Sequence, residues 1–401
     1  MEDYLPLDLE SNILVRLPIK DLIRCQCVCK RWRDDIIKNP YFITSHTRHY
    51  LLESNKISDS IIFFSRDTYA SGLCFLDYHT PKVVKKVTHF HNFQNSKNVE
   101  LVGSCNGLLC FRELGQNYPI RFTLYNPLTG ASNDITPLVP KQDYAGQAGQ
   151  IEMIGFGYDS TKDDYKILCF STFNVQSDNF CVVYSLKSNT WKYIKPHHNN
   201  IVKNINRNPS MVFCNNALHW IACNNKSNST SKLIIAKFDL GTEEYNEVPY
   251  PNKWNNCVGD LESLIVLRGR LHFINYYRTM KTNLEVWVMK EYGVKQTWSK
   301  LVDIPLSRLQ QQDVDRSQQL QLRIENSIIT LFSSYFLYGY SEDGQEILLG
   351  GKNKGFLQYD VQSWDVKWLK MCNLPYGCTP SFKYVAMPWV GSFVSPSRSF
   401  T

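Results

Sequence analysis

Three groupings of histidine, cysteine and aspartate residues have spacings that a metal or catalytic site could use. Cys25, Cys27 and Cys29 alternate near the N-terminus, histidines occur in close pairs, and an acidic run extends from Asp159 to Asp164. Alternating cysteines of a helix point in different directions, so they do not converge on one ion. The acidic run lacks the ligand register of a calcium loop. We therefore expect no metal site, and we interpret the aspartates as turn residues.

Short motifs that carry catalysis are absent from the sequence. It has no GxSxG nucleophile elbow, no HExxH zinc motif, no GxxxxGK[ST] phosphate loop and no GxGxxG dinucleotide fingerprint. The sequence therefore predicts a protein without catalytic residues and without a cofactor.

The overall composition is that of a folded protein rich in β-structure. Among 401 residues, 43% are hydrophobic and 20% are charged, which disfavours a disordered or coiled-coil chain. Aromatic residues, at 13%, favour strands. The net charge of +7 is spread thinly, without the concentrated basic stripe that is typical of nucleic-acid-binding proteins.

Cysteine usage and hydropathy bear on the compartment. The 13 cysteines are an odd number and form no CxxC pair, so reduced, buried thiols are expected rather than a disulfide framework. The acidic N-terminus lacks the features of a signal peptide, and no apolar run approaches the ~18 residues of a membrane-spanning helix. These features predict a cytoplasmic or nuclear protein that binds neither membranes nor nucleic acid.

The first fifty residues predict a small helical unit. Leu9, Ile13 and Leu17 recur every four residues and form one apolar helical stripe. Further apolar stripes follow, and the sequence Asn39-Pro40 supplies an N-cap and a first-turn proline for the last helix. Such a short unit has a very small core, so it needs a partner surface or a neighbouring domain to bury its apolar faces.

From about residue 60 the pattern changes to short apolar runs separated by turn residues. Tight turns such as Asn106-Gly107 alternate with aromatic strands, which recur at intervals of roughly fifty residues and predict propeller blades. A β-sandwich or several small sheets is the alternative. The interval from Trp287 to Tyr359 leaves room for an additional blade around a Gln-rich stretch. Strands near residues 61–64 and 73–75 are expected to pair with the last blade, because closure removes exposed sheet edges.

The N-terminal segment resembles the F-box of plant F-box proteins. Residues 5–6 are Leu-Pro, residues 13–18 are Ile-Leu-Val-Arg-Leu-Pro, and residues 27–33 are Cys-Val-Cys-Lys-Arg-Trp-Arg. The chain after it resembles the F-box-associated domain of the F-box/kelch-repeat family, although the paired glycines of kelch repeats are not regular here. That resemblance rests on residues 104–110, 125–129, 155–166, 218–220 and 389–395.

The resemblance implies an α+β chain in which a small all-α F-box of three to four short helices precedes a large all-β domain, a β-propeller. The F-box would cover residues 1–48, a linker residues 49–59, and the F-box-associated β domain residues 60–396. The implied function is substrate recognition in an SCF-type cullin-based ubiquitin ligase. The F-box would bind a Skp-type adaptor and through it a cullin scaffold, and the β domain would bind a target protein for ubiquitination and degradation.

The resemblance also implies which residues contact the adaptor. They are Leu5, Pro6, Ile13, Leu14, Leu17, Pro18, Leu22, Val28 and Trp32. Several of them, especially Leu14, Val28 and Trp32, are equally expected to pack within the helical unit. The alternative function is a free-standing β-propeller that binds a protein or a glycan without a ligase role. The substrate-binding residues cannot be assigned from the sequence.

Overall fold

Four helices begin the chain in the computed structural model. They are α1 (Leu7–Val15), α2 (Ile19–Cys25), α3 (Lys30–Lys38) and α4 (Pro40–Leu52). The structure describes residues 6–52, 60–65, 72–77, 84–87, 99–113, 120–138, 150–172, 180–194, 211–224, 232–251, 261–276, 283–305, 335–341, 343–351, 355–369 and 384–397.

Prolines and one asparagine set the starts of three helices. The Pro6 carbonyl accepts a hydrogen bond from the backbone N–H of Leu9 at 2.9 Å, at the start of α1, and Pro18 occupies the equivalent position before α2. Asn39 Oδ1 accepts from the N–H of Tyr41 at 3.0 Å, which confirms the predicted N-cap of α4. This last helix ends at Leu52, beyond residue 48, where the F-box was predicted to end.

The helical unit has a small apolar core. Leu22 and Ile36 have no exposed surface, and Leu14 and Phe42 are buried beside them. His46 stacks on Phe42, and its Nε2 donates to the Leu17 carbonyl at 3.0 Å, which ties α4 to the end of α1. Burial lowers the pKa of His46 below its ordinary value, so the ring is neutral in this core.

The strands form six four-stranded sheets within the described residues. Blade 1 contains β1 (Ser60–Ser65), β2 (Gly72–Asp77), β3 (Val84–Lys86) and, from the end of the chain, β24 (Tyr384–Trp389). Blade 2 contains β4 (Val99–Cys105), β5 (Leu108–Glu113), β6 (Ile120–Tyr125) and β7 (Ser132–Leu138). Blade 3 contains β8 (Gln150–Asp159), β9 (Asp164–Thr172), β10 (Phe180–Ser185) and β11 (Thr190–Ile194).

The remaining three blades follow the same antiparallel order. Blade 4 contains β12 (Val212–Cys214), β13 (Ala217–Asn224), β14 (Lys232–Asp239) and β15 (Tyr245–Val248). Blade 5 contains β16 (Leu261–Leu267), β17 (Arg270–Tyr276), β18 (Asn283–Met289) and β19 (Trp298–Pro305), with a 3-10 turn at Lys295–Thr297. Blade 6 contains β20 (Tyr335–Tyr340), β21 (Glu346–Gly351), β22 (Gly355–Asp360) and β23 (Val366–Trp368).

The six blades close into a ring, so the domain is a β-propeller. The inner strands β4, β8, β12, β16, β20 and β24 contact one another in that order, and β24 returns to contact β4. Blade 1 joins the two ends of the domain, because β24 pairs with β1 along its whole length, from Ser60 opposite Trp389 to Ser65 opposite Tyr384. The predicted closure of the ring is thus confirmed, although the early strands pair with β24 in blade 1 and not with a strand of blade 6.

The predicted turn and strand repeats correspond to fixed positions in the blades. The tight turns join the first and second strands, and both Asn106 and Gly107 have the positive φ that such turns require. The aromatic residues lie on third strands, for example Tyr125 on β6 and Tyr359 on β22. The long interval before Tyr359 separates adjacent blades 5 and 6 and holds no further described sheet; its Gln-rich stretch lies outside the described residues.

Candidate functional site

Large apolar side chains are exposed on the helical unit. Leu9 and Ile13 lie one turn apart on the same face of α1 and are 51% and 53% exposed. Two members of the predicted apolar stripe therefore face outward, whereas its third member, Leu17, and the neighbouring Leu14 contact the core. Exposed apolar residues that occur together mark an interaction site more often than chance scatter does. Four more exposed side chains of this kind lie on the unit, namely Ile23, Val28, Ile37 and Tyr41.

A half-buried carboxylate links α1 to α3. Glu10 on α1 accepts hydrogen bonds from the guanidinium of Arg31 and from Trp32 Nε1, the latter at 3.2 Å. The Glu10 side chain is only 13% exposed, so this pairing is more strongly held than an ordinary surface ion pair. The orientation of the exposed stripe on α1 is thereby set by α3.

The turn between α2 and α3 presents Val28 to solvent. Backbone hydrogen bonds from Cys27 to Arg24 and from Val28 to Cys25, at 3.0 and 3.1 Å, tighten the chain as α2 ends. Cys29 then caps α3, because its Sγ accepts from the N–H of Trp32 at 3.4 Å. Val28 is held between these two helix ends with 65% of its surface exposed. Packing of Val28 within the unit, which the sequence left open, is not observed.

Four of the nine residues predicted to contact an adaptor are exposed. Pro6 lies at the start of α1, Ile13 on its outer face, Pro18 at the start of α2, and Val28 in the following turn. Leu9 is exposed in the same way but was not among the predicted contacts, although its position one turn before Ile13 was a usable signal.

Of the other five predicted contact residues, the four that the structure describes are not on this exposed surface. Leu14 and Leu22 are buried in the core, with 4% and 0% exposure. Leu17 and Trp32 are half-buried and pack against that core. Leu5 lies outside the described residues.

The end of the chain forms the joint between the helical unit and the propeller. After β24, Phe393 and Val394 enter the same apolar cluster as Leu14 and Leu22 of the helices. Ile19 of α2 lies against the same segment. The segment therefore belongs to the core of the helical unit as well as to blade 1.

Two turns of blade 2 hold this C-terminal segment by hydrogen bonds. Asn126 has no exposed surface, and its Nδ2 donates to the carbonyls of Ser392 and Val394 at 2.9 and 2.7 Å. Trp389 Nε1 donates to the Gly107 carbonyl at 3.0 Å. A side chain at Gly107 would collide with Ser392, which explains the glycine there. Three segments that resemble the F-box-associated domain thus meet at one joint.

The acidic run of blade 3 has the predicted turn role, and it also joins two blades. Asp159 is fully buried and its Oδ1 accepts from the N–H of Thr161 at 3.0 Å. Its Oδ2 lies 3.0 Å from Lys166 Nζ, which in turn lies 3.1 Å from Glu243 of blade 4. Burial alone would raise the pKa of Asp159, but the hydrogen bonds from Thr161 and Lys166 and the charge of Lys166 hold it below its ordinary value. This cluster pairs its charges internally, as a structural ion cluster does.

Two further observations concern only the residues that the structure describes. No group of three or more histidine, cysteine, aspartate or glutamate side chains among them is arranged to hold a metal ion. None of the described helices has the length and apolar character needed to cross a membrane.

Comparison with known families identifies both parts of the chain. Residues 3–40 match the family model described as "F-box domain", and residues 48–382 match the one described as "F-box associated beta propeller domain". The chain belongs to the F-box proteins with an F-box-associated β-propeller. From here on, the helical unit is called the F-box and the six blades the propeller.

Similar proteins come from Arabidopsis thaliana. The F-box/kelch-repeat protein At3g23880 is 29% identical over 75% of this chain and 79% of its own length. The F-box protein CPR1 is 27% identical over 92% of this chain and 85% of its own. The F-box protein At3g07870 is 28% identical over 93% of this chain and 89% of its own. The matches to CPR1 and At3g07870 cover more than nine-tenths of this chain and therefore include both the F-box and the propeller.

Proposed function

We propose that this protein is the target-recognition subunit of an SCF-type cullin-based ubiquitin ligase. The F-box binds a Skp-type adaptor, which connects it to the cullin scaffold, and the propeller binds the protein to be ubiquitinated. The observation that carries the proposal is the exposure of Leu9, Ile13 and Val28 on a unit whose core is otherwise well buried. Ubiquitin transfer belongs to other subunits, so this chain needs no catalytic residue and no cofactor. Its place of action is the cytoplasm or the nucleus.

The predicted adaptor residues divide into two roles under this proposal. Ile13 and Val28, with the exposed Pro6 and Pro18, contact the adaptor directly. The buried Leu14 and Leu22 and the half-buried Leu17 and Trp32 support the binding surface indirectly, because they fix the position of α1 against α2 and α3. Burial of these side chains in the complex supplies apolar contact area, of which only the part that exceeds the costs of association appears as affinity.

The charge of residues 16–33, which include the exposed Ile23 and Val28 but not Leu9 or Ile13, indicates the chemistry of the partner near Val28. Between residues 16 and 33 the F-box carries six basic residues and one acidic residue, Asp21. Arg16, Arg24 and Lys30 among them are exposed. Electrostatic complementarity favours a partner whose apolar contact area has an acidic rim.

The experiment is adaptor binding by the full-length chain and by an Ile13→Asp/Val28→Asp variant. Both residues are exposed, so the variant keeps the fold while it places two charges in the proposed interface. The matched control is Tyr193→Asp/Val294→Asp, which changes two exposed apolar residues of the propeller, each 39% exposed. In a pull-down with a Skp-type adaptor, we expect the F-box variant to lose binding and the control to keep it.

Two results would contradict the proposal. Undiminished adaptor binding by the F-box variant would show that Ile13 and Val28 do not belong to the adaptor-binding surface. Absence of adaptor binding by the unmodified chain would favour a propeller that binds its partner without a ligase role. Thermal unfolding of both variants shows whether any loss of binding comes from loss of fold.

A further inference from the structure

The cysteines of the F-box differ from those of the propeller in their exposure. Six of the nine cysteines whose exposure the structure describes are buried, and all six lie on propeller strands, namely Cys74, Cys105, Cys110, Cys169, Cys181 and Cys214. In the F-box, by contrast, Cys27 and Cys29 are exposed and Cys25 is half-buried. The sequence predicted buried thiols throughout, and the F-box departs from that prediction.

The remaining described thiols are poorly suited to react. Burial raises the pKa of Cys214 to about 12, so this thiol is protonated at physiological pH. Burial and the charge of Asp21 also raise the pKa of Cys25 above its ordinary value. The thiolate is the reacting form of cysteine, so such thiols are inert. Among the described cysteines, Cys27 and Cys29 are therefore the two most accessible to a dissolved reagent.

The two exposed cysteines lie on either side of Val28, in the turn between α2 and α3. Val28 is 65% exposed and belongs to the surface that we assign to the adaptor. Hydrogen bonds fix this turn at both ends, from the Val28 N–H to the Cys25 carbonyl at 3.1 Å and from the Trp32 N–H to Cys29 Sγ at 3.4 Å. A group attached to Cys27 or Cys29 is therefore held one residue away from a proposed adaptor contact.

The turn lies in a basic segment of the F-box. Residues 24–33 contain four basic residues and no acidic one. Arg24 and Arg31 are paired with carboxylates of other F-box segments, and Lys30, directly after Cys29, is exposed. Positive charge at a surface raises the local concentration of small anions. The segment therefore favours an anionic thiol reagent over a cationic one.

We propose that Cys27 and Cys29 form a modification site whose reagent is a low-molecular-weight disulfide of the glutathione class. The cysteine thiolate attacks one sulfur of glutathione disulfide, and its proton passes to the solvent. A bond forms between the protein sulfur and one glutathione, while the sulfur–sulfur bond of the reagent breaks and the second glutathione leaves as a thiolate. The cysteine is thereby oxidised and the departing glutathione is reduced. Attack by another glutathione thiolate reverses the step.

The modification would prevent adaptor binding for two reasons. The attached tripeptide is bulky, so it keeps an apolar partner surface away from Val28. It also brings two carboxylates and one ammonium group, and its net negative charge opposes a partner with an acidic rim. Conversely, an adaptor bound first disfavours modification, because the coupling between two binding events is reciprocal. The inference rests on the proposed function in that the adaptor is the ligand of this surface; the reactivity of the two thiols does not depend on it.

The experiment treats the reduced full-length chain with glutathione disulfide. Trypsin cleaves after Arg24 and Lys30, so residues 25–30 are released as one peptide in which mass spectrometry locates the added glutathione. We expect it on Cys27 and Cys29, together with a roughly tenfold weaker pull-down of a Skp-type adaptor that a reductant restores. Adaptor added before the reagent should reduce the modification of both sulfurs.

Cys27→Ser/Cys29→Ser removes both exposed thiols, and serine at residue 29 still caps α3. This variant should bind the adaptor with and without glutathione disulfide. The matched control is Cys25→Ala, which removes the half-buried thiol of the same peptide and should leave adaptor binding sensitive to the reagent.

Three results would each overturn the inference: no glutathione on either sulfur, modification without loss of adaptor binding, or an equal loss of binding in the double-serine variant. Failure of the reduced, unmodified chain to bind the adaptor is a different result. It would contradict the proposed function, and with it the control of binding, while the peptide masses would still show whether Cys27 and Cys29 are the thiols that react.

Discussion

The F-box and the propeller differ in how many of their large apolar side chains are exposed. Among the residues that the structure describes, the much longer propeller exposes three large apolar side chains, Tyr193, Val294 and Trp364, whereas the F-box exposes six. Apolar surface left in water contributes nothing to the stability of the chain that carries it. The difference supports the proposal that the F-box, unlike the propeller, keeps apolar surface for contact with another molecule.

The joint between the two regions makes this division possible. The segment after β24 completes the F-box core with Phe393 and Val394, while Asn126 holds the same segment to blade 2. The F-box thus gains from the propeller the buried contacts that so small a unit lacks. It can then leave the outer face of α1 uncovered.

The greatest loss of stability is expected when the segment that joins the F-box to the propeller is removed. Deleting residues 380–401 removes β24, the inner strand of blade 1, together with the buried Trp389 and Phe393. Since loss of one buried aromatic side chain costs about 3–5 kcal/mol, we expect the whole propeller and the F-box to lose cooperative unfolding together. Thermal unfolding followed by circular dichroism measures this. The control lacks only residues 398–401; unchanged unfolding of the longer deletion would show that the blades are independent.

The second prediction concerns the acid sensitivity of the contacts between neighbouring blades. His219 of blade 4 lies 2.6 Å from the Tyr292 hydroxyl of blade 5, and His272 of blade 5 contacts Tyr340 of blade 6. Burial is the main cause that lowers the pKa of each histidine to about 4. Between pH 4 and 6.5 the unfolded chain therefore holds protons that the folded chain excludes, so stability falls as the pH falls through this window.

Each histidine is expected to change the free energy of unfolding by about 1.4 kcal/mol per pH unit inside the window. From pH 7 to pH 5 the two together lower it by about 3–4 kcal/mol. Denaturant unfolding at both pH values checks this against His219→Gln/His272→Gln, in which every other titrating group is retained. If the two proteins had the same pH dependence, burial of His219 and His272 would not be the cause of the acid sensitivity.

The sequence predicted the repeating turns and strands and the closure of the ring, but it did not determine the number of blades. Turns such as Asn106-Gly107 are local, because a positive φ at two successive positions restricts the residue types. The blade count is not local, since blade 1 is assembled from strands at both ends of the domain and carries no single repeat in the sequence. The strand pairing between Ser60 and Trp389 depends on contacts across the whole chain.

The candidate site shows the same limit. The period of Leu9 and Ile13 predicted an apolar helical stripe, but a period does not tell whether a stripe faces a core or a partner. In the structure Glu10 of α1 accepts a hydrogen bond from Trp32 of α3 while Leu9 and Ile13 lie exposed, and the spacing of apolar residues shows neither fact. The role of Asn126 was equally hidden, because its carbonyl partners lie at the far end of the chain.

The third prediction tests the joint with a single substitution. Asn126→Ala leaves the Ser392 and Val394 carbonyls and the N–H of Leu128 without their partner in a buried place. We expect the free energy of unfolding to fall by about 3 kcal/mol, because unsatisfied buried polar groups are costly. Asn133→Ala is the control, since Asn133 is half-buried and donates one hydrogen bond, to Pro396 at 3.2 Å. A control that loses as much stability as Asn126→Ala would place the joint elsewhere.

The last prediction compares an exposed and a buried residue of the F-box, and the exposed one is expected to change stability least. Val28→Asp replaces the most exposed apolar residue of the predicted contact set, so the free energy of unfolding should stay within about 0.5 kcal/mol of the unmodified value. Leu22→Asp, six residues earlier in the F-box, buries an unpaired carboxylate and should unfold that unit. Denaturant unfolding of both variants, read together with adaptor pull-down, separates the two roles. If Val28→Asp destabilised the chain as Leu22→Asp does, Val28 would belong to the core of the F-box and would not be available for contact with the adaptor. Unchanged stability with lost adaptor binding is the combination that a surface shaped for a partner produces, because its apolar contacts form only in the complex.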